Sequence, residues 1–116
     1  MRKIERQMQK AICNLANGDT WRNSNTRVDK DDEGNTSVYL HNNRIAFVTQ
    51  FGDITLSSCG WETPTTKSRL NAILDTFLHG CHVWQKDFTW YIGNTGNCGS
   101  LTNSADTFFD GYTIER

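Results

Sequence analysis

No apolar run in this 116-residue chain approaches the roughly 20 residues that a helix needs to cross a bilayer. The basic N-terminus is not followed by the apolar stretch of a secretory leader. These absences set the expectation of a soluble, cytoplasmic protein with no membrane partner. Cysteines are never spaced C-x-x-C: Cys13, Cys59, Cys81 and Cys98 lie far apart, which argues against a zinc site and favours free thiols over disulfides. An excess of charge of one sign is also missing. The formal net charge of -1 argues against a general nucleic-acid binder, whose affinity comes mostly from clustered Lys and Arg releasing counterions. No nucleophile elbow, phosphate loop, dinucleotide fingerprint or kinase pattern occurs, nor any internal repeat or linker. The chain therefore reads as non-enzymatic, with no cofactor and no metal.

Aliphatic content is low as well. Apolar residues make up 36% and aromatics 11%, including four Trp, so one domain with a small, aromatic-rich core is expected. Such a core gains area by self-association, and a homo-oligomer is expected on that ground. The charge is unevenly placed: Arg2, Lys3, Arg6 and Lys10 make the N-terminal helix basic, while Asp29, Asp31, Asp32 and Glu33 form an acidic turn.

Ile4, Met8, Ile12 and Leu15 recur at helical spacing before Asn17-Gly18, which predicts an amphipathic helix over 3–16. Strands are predicted over 26–30, 36–41, 44–50 and 54–57, with Asn42-Asn43 as a tight hairpin turn, giving a meander of up to four strands. Leu70, Ile73, Leu74, Phe77 and Leu78 mark the buried stripe of a second helix that ends near His79-Gly80. A hairpin follows over 82–92 around Lys86-Asp87, with Trp84 and Trp90 placed to pair across it. Residues 93–106 read as a long loop, and Phe108 to Ile114 as a closing strand with a bulge at Asp110-Gly111. The connections are too short for parallel crossovers, so the fold class is α+β with a mainly antiparallel sheet.

The stretch Gly60 to Asn71 is the most informative. A strand-like segment turns into a helix carrying Thr65, Thr66 and Arg69 at its start, beside an exposed-looking Trp61. A helix N-terminus leaves backbone N–H groups unpaired and partly positive, which suits a phosphate. Thr63-Pro64 is equally the ordinary way to begin a helix, with a hydroxyl cap and proline at the first position. Arg69 falls outside the apolar stripe, so its side chain is expected to face away from the core. Arg27, Arg44 and Arg69, with Asn25, Asn43, Asn71 and the rings of Trp21, Tyr39 and Trp61, supply the stacking, amide pairing and fork donors that recognise a base and a phosphate. The same residues scattered over a meander are also what a solvated surface looks like.

Other constellations are weaker. Asp29 to Gly34 copies the start of a calcium loop, but the twelfth position, which requires a bidentate Glu, is Leu40. His79-Gly80-Cys81-His82 would need further metal ligands from elsewhere, such as His41. Cys59, just before the helix, is the one candidate nucleophile, while His41 reads as a hairpin-end residue rather than a general base.

Asn25 to Val28, Val38 to Ala46, the Gly60 to Asn71 corner and the Gln85 to Tyr91 hairpin together resemble small phage-encoded proteins of unassigned function. A compact helix-plus-antiparallel-sheet chain of this size is also similar to phage anti-defence sponges, including the anti-Thoeris kind. That resemblance implies sequestration of a cyclic nucleotide signal by a symmetric oligomer in the host cytoplasm; it assigns no role to any residue. The expected ligand is a nucleotide-like anion, met by Trp61, Thr65, Thr66, Arg69, Arg27 and Arg44. The alternatives are a protein-binding inhibitor of a host factor and a weak binder of single-stranded nucleic acid, the latter disfavoured by the charge balance.

Overall fold

The computed structural model describes residues 2–78, 80–94 and 106–115. Among them the chain runs α1 (Lys3–Asn14), β1 (Thr20–Asn23), β2 (Thr26–Lys30), β3 (Thr36–Leu40), β4 (Asn43–Val48), β5 (Ile54–Leu56), α2 (Pro64–Phe77), β6 (Cys81–Lys86), β7 (Thr89–Asn94), β8 (Asp106–Thr107) and β9 (Tyr112–Ile114). The strands form a six-stranded antiparallel sheet ordered β1-β2-β3-β4-β5-β9 and a three-stranded one ordered β6-β7-β8. The α+β class holds, and the meander gains a fifth strand, β1, at its outer edge.

Alternation along the strands sorts the large sheet into two faces. Val28, Val38, Leu40, Val48, Ile54, Leu56 and Ile114 point inward to meet Met8 and Ile12 of α1 and Leu70, Ile73 and Leu74 of α2. Between Val38 and Tyr39 the register of β3 against β4 shifts, so that Val38 faces Ala46 and Tyr39 faces Arg44. Ile45 is the extra residue of this bulge, which turns it into the core and leaves Arg44 outside. The bulge expected at Asp110-Gly111 is a turn instead, with Gly111 at φ 88. Of the expected closing strand only its end is β9, and β8, just before its expected start, belongs to the other sheet. The corner so formed is filled by Phe108, stacked on Tyr112 and tilted against Trp90, and the Tyr112 hydroxyl donates to Asp106.

Two hairpin turns sit one residue away from expectation. His41 and Asn42, at φ 50 and 65, form the β3–β4 turn, and Asp87 and Phe88, at φ 51 and 67, form the β6–β7 turn. Two-residue loops with positive φ match the right-handed twist of the strands. The shift puts Trp84 opposite Tyr91, on which it stacks, and Trp90 on the other face opposite Gln85. The two indoles therefore do not pair.

The largest correction concerns Arg69. Its residue is only 3% exposed, on the same helical face as Thr66, Leu70 and Ile73. Arg69 Nη1 donates to Glu5 Oε2 at 2.8 Å, Nε to Thr26 Oγ1 at 3.1 Å and Nη2 to Asn25 Oδ1 at 3.5 Å. Glu5, equally buried, also accepts from the Ser68 hydroxyl and from the Arg2 backbone N–H. Burial pushes the Glu5 carboxyl up, but the Ser68, Arg2 and Arg69 donors outweigh it and hold the pKa below the ordinary glutamate value. One ion pair thus ties α1, α2 and the start of β2 together. Asn71, also a recognition candidate, bridges the Val83 backbone N–H and C=O and so pins α2 to β6.

Candidate functional site

A cleft of ≈ 540 Å³ opens between the β3–β4 hairpin and the chain entering α2. Leu40 and Ile45, both buried, form an apolar floor; Asn43, Thr63, Thr65 and Thr66 add an amide and hydroxyls; His41 and Trp61 stand at the mouth. The Trp61 side chain is held out by a tight backbone. Cys59 and Gly60 both adopt left-handed φ, 54 and 80, and Trp61 N–H bonds Ser58 C=O at 2.9 Å. Asp110 clamps this turn from β9's approach, its Oδ1 accepting from both the N–H and the hydroxyl of Ser58 at 2.8 Å. Partial burial raises the Asp110 carboxyl, and the Ser58, Gly60 and Ser57 donors bring it below the usual aspartate value. Trp61 remains 63% exposed, a large indole with nothing to cover it among the described residues.

Of the residues singled out from sequence, Trp61, Thr65 and Thr66 line this cleft. Arg69 does not; its guanidinium is spent on Glu5, Thr26 and Asn25. The anion capacity of the α2 N-terminus is small for a local reason. Pro64 has no N–H, the Thr63 hydroxyl accepts from Thr66 N–H at 3.2 Å, and the Thr63 carbonyl accepts from Lys67 N–H at 3.0 Å. Only the Thr65 N–H is left. The capping role of Thr63-Pro64 is therefore present as the spacing predicted.

Arg27 and Arg44 lie elsewhere, on the outer face of the large sheet. A second hollow of ≈ 460 Å³ lies over the tips of the β1–β2 and β3–β4 hairpins, with Arg22, Asn25, Thr26 and Arg27 in its walls. His41, in the β3–β4 turn, lines both hollows. Arg22 was missed by sequence reasoning; its signal is the register that sets it opposite Arg27. Arg44 reaches neither hollow and instead lies over the Phe47 ring, 4.9 Å from its centroid. Trp21 packs against the core.

The remaining candidates dissolve into local structure. Asp31 accepts from the N–H groups of Glu33 and Asn35 and from the Asn35 amide, so its carboxylate closes its own turn. Among the described residues no group of three or more His, Cys, Asp or Glu is placed to hold a metal ion. Cys13 and Cys59 are free thiols, whereas Cys81 is disulfide-bonded, against the expectation of free thiols throughout. Cys98, His79 and most of the expected long loop, 95–105, lie outside the described residues. The Cys59 thiol donates to the Arg44 carbonyl at 3.1 Å. No described helix is long and apolar enough to cross a membrane.

Comparison with known proteins adds one relation. No curated protein matches the chain, and no solved structure does. A family model described as Kyanoviridae Gp96 protein matches residues 1–115. With nearly its whole length covered, the chain belongs to this phage protein family.

Proposed function

We propose that this phage protein binds and sequesters a nucleotide-like small molecule, without turning it over, with the ring of the ligand seated in the cleft against Trp61. The observation that carries the reading is the cleft itself. Its ≈ 540 Å³ lies within the roughly 300–1,000 Å³ usual for small-molecule sites, and it combines an apolar floor with a few polar groups and an uncovered indole. Stacking a base on an aromatic ring contributes about 1–3 kcal/mol. The lining offers hydroxyls, an amide and an imidazole, groups that can hydrogen-bond the edge of a base.

Isothermal titration against cyclic dinucleotides and cyclic ADP-ribose isomers tests it. At least one should saturate, and Trp61→Ala should weaken that ligand about 5- to 100-fold. No binding by any of them up to millimolar concentration would sink the reading.

A second reading, inhibition of a host protein by surface contact, is supported by Phe88. Its side chain is 92% exposed at a hairpin tip and its backbone is left-handed, which a bulky residue seldom adopts. A host protein retained by the wild type and released by Phe88→Asn, with nucleotide binding unaltered, would favour this alternative.

A further inference from the structure

The groove beside the cleft has a different chemistry. Arg22 and Arg27 are directly opposed across β1 and β2, a placement in which like charges repel and weaken the strand pair. Within the chain this repulsion is only partly offset. Asp29 Oδ2 lies 3.3 Å from Arg27 Nε, and Asn42 Oδ1 accepts from Arg22 Nη2 at 3.4 Å. The Asp29 contact is close but not aligned as a hydrogen bond: Arg27 Nε and Asp29 Oδ1 are both buried without a hydrogen-bond partner.

Arg27 is also held in place. Its Cζ sits 4.0 Å from the centroid of the Tyr39 ring, and Tyr39 is its direct cross-strand partner on β3. The Tyr39 ring and the Asp29 carboxylate hold the guanidinium from two sides. The two terminal amino groups make no hydrogen bond among the described residues. A stacked guanidinium with a free, oriented fork suits two oxygens of one phosphate, and loses little further freedom in binding them.

We propose that this groove is an anion subsite neighbouring the cleft across His41, taking the phosphate or pyrophosphate of a nucleotide whose base lies on Trp61. The proposal rests on the cleft reading and extends it: the anion sits over Arg22 and Arg27, not at the α2 N-terminus or on Arg69. Arg69 has a structural part instead. Through Thr26 Oγ1 and Asn25 Oδ1 it braces the β1–β2 turn that shapes the groove, while touching no anion itself.

The test titrates the full chain with adenosine, ADP, inorganic pyrophosphate and a short oligothymidylate, with Arg27→Gln and Arg27→Lys as variants whose melting curves establish that they fold. ADP should bind about 10-fold or more tighter than adenosine in the wild type. Arg27→Gln should abolish that advantage and leave adenosine affinity unchanged, and Arg27→Lys should restore only part of it. Pyrophosphate should compete with ADP. Equal affinity for ADP and adenosine, or an ADP advantage that survives Arg27→Gln, would overturn the subsite. Pyrophosphate binding that depends on Arg27, with no adenosine binding, would keep the subsite and remove the cleft reading. Oligothymidylate that binds tighter than ADP and loses affinity in Arg27→Gln would replace the small ligand with a single strand.

Discussion

Replacing Arg69 with alanine should destabilise the whole fold rather than merely disarm a site. The guanidinium makes three contacts inside the molecule, and its removal leaves the Glu5 carboxylate buried with two donors, the Ser68 hydroxyl and the Arg2 N–H. Breaking a buried pair by deleting one partner typically costs about 3–5 kcal/mol, because the other charge is stranded away from water. The two surviving donors place Arg69→Ala near the lower end, roughly 3 kcal/mol. Against a total stability of about 5–15 kcal/mol that is a large share. At about 3–6 °C per kcal/mol for a domain of this size, the melting temperature should fall by roughly 10–20 °C. Circular dichroism melts and urea titrations of the wild type, Arg69→Ala, Glu5→Leu and the double variant Glu5→Leu/Arg69→Met measure it. The double variant should recover much of the loss, since replacing both charges by apolar groups removes the desolvation penalty of each. An Arg69→Ala protein within about 1 kcal/mol of wild type, or a double variant no better than the single ones, would refute the argument.

Acid should expose the same pair. The Glu5 pKa is depressed in the folded state, so its contribution is present above the unfolded value near 4.5 and is lost as pH falls through the folded one. Stability followed by urea titration should drop below about pH 4.5, and Glu5→Gln should flatten that limb. Phe88→Gly should gain about 0.5–1 kcal/mol, because φ 67 suits glycine, and a loss in a thermal melt would show that the Phe88 ring packs usefully. Asp110→Ala should cost roughly 1–2 kcal/mol and loosen the turn carrying Trp61, seen as faster amide exchange at 58–61; unchanged exchange would remove Asp110 as its clamp. Light scattering should return a mass above one chain at micromolar concentration, given exposed Phe51, Phe88, Phe109 and Trp61, and a monomer would remove any site shared between copies.

What the sequence determined by itself is everything that local periodicity and capping control. Period-two alternation placed the strands of the meander, Thr63-Pro64 placed the start of α2, and the Leu70, Ile73, Leu74 stripe placed its buried face. Three of the residues that line the cleft, Trp61, Thr65 and Thr66, follow from that corner because they are fixed by a few neighbouring residues. Arg69 shows where such reasoning stops. Its position four residues before Ile73 already puts it on the buried stripe, yet a charge is buried only if something neutralises it, and Glu5 lies 64 residues away on another helix. The groove has the same origin. Arg22 and Arg27 become a pair only through the β1–β2 register, Tyr39 comes beneath Arg27 only through the β2–β3 register, and the bulge at Ile45 sends Arg44 outward, away from both hollows. Backbone preference is written in adjacent residues and can be read there; the partners of a charge are chosen by strand pairing and helix packing, so only the tertiary structure decided which arginine was spent on the core and which was left with its fork free.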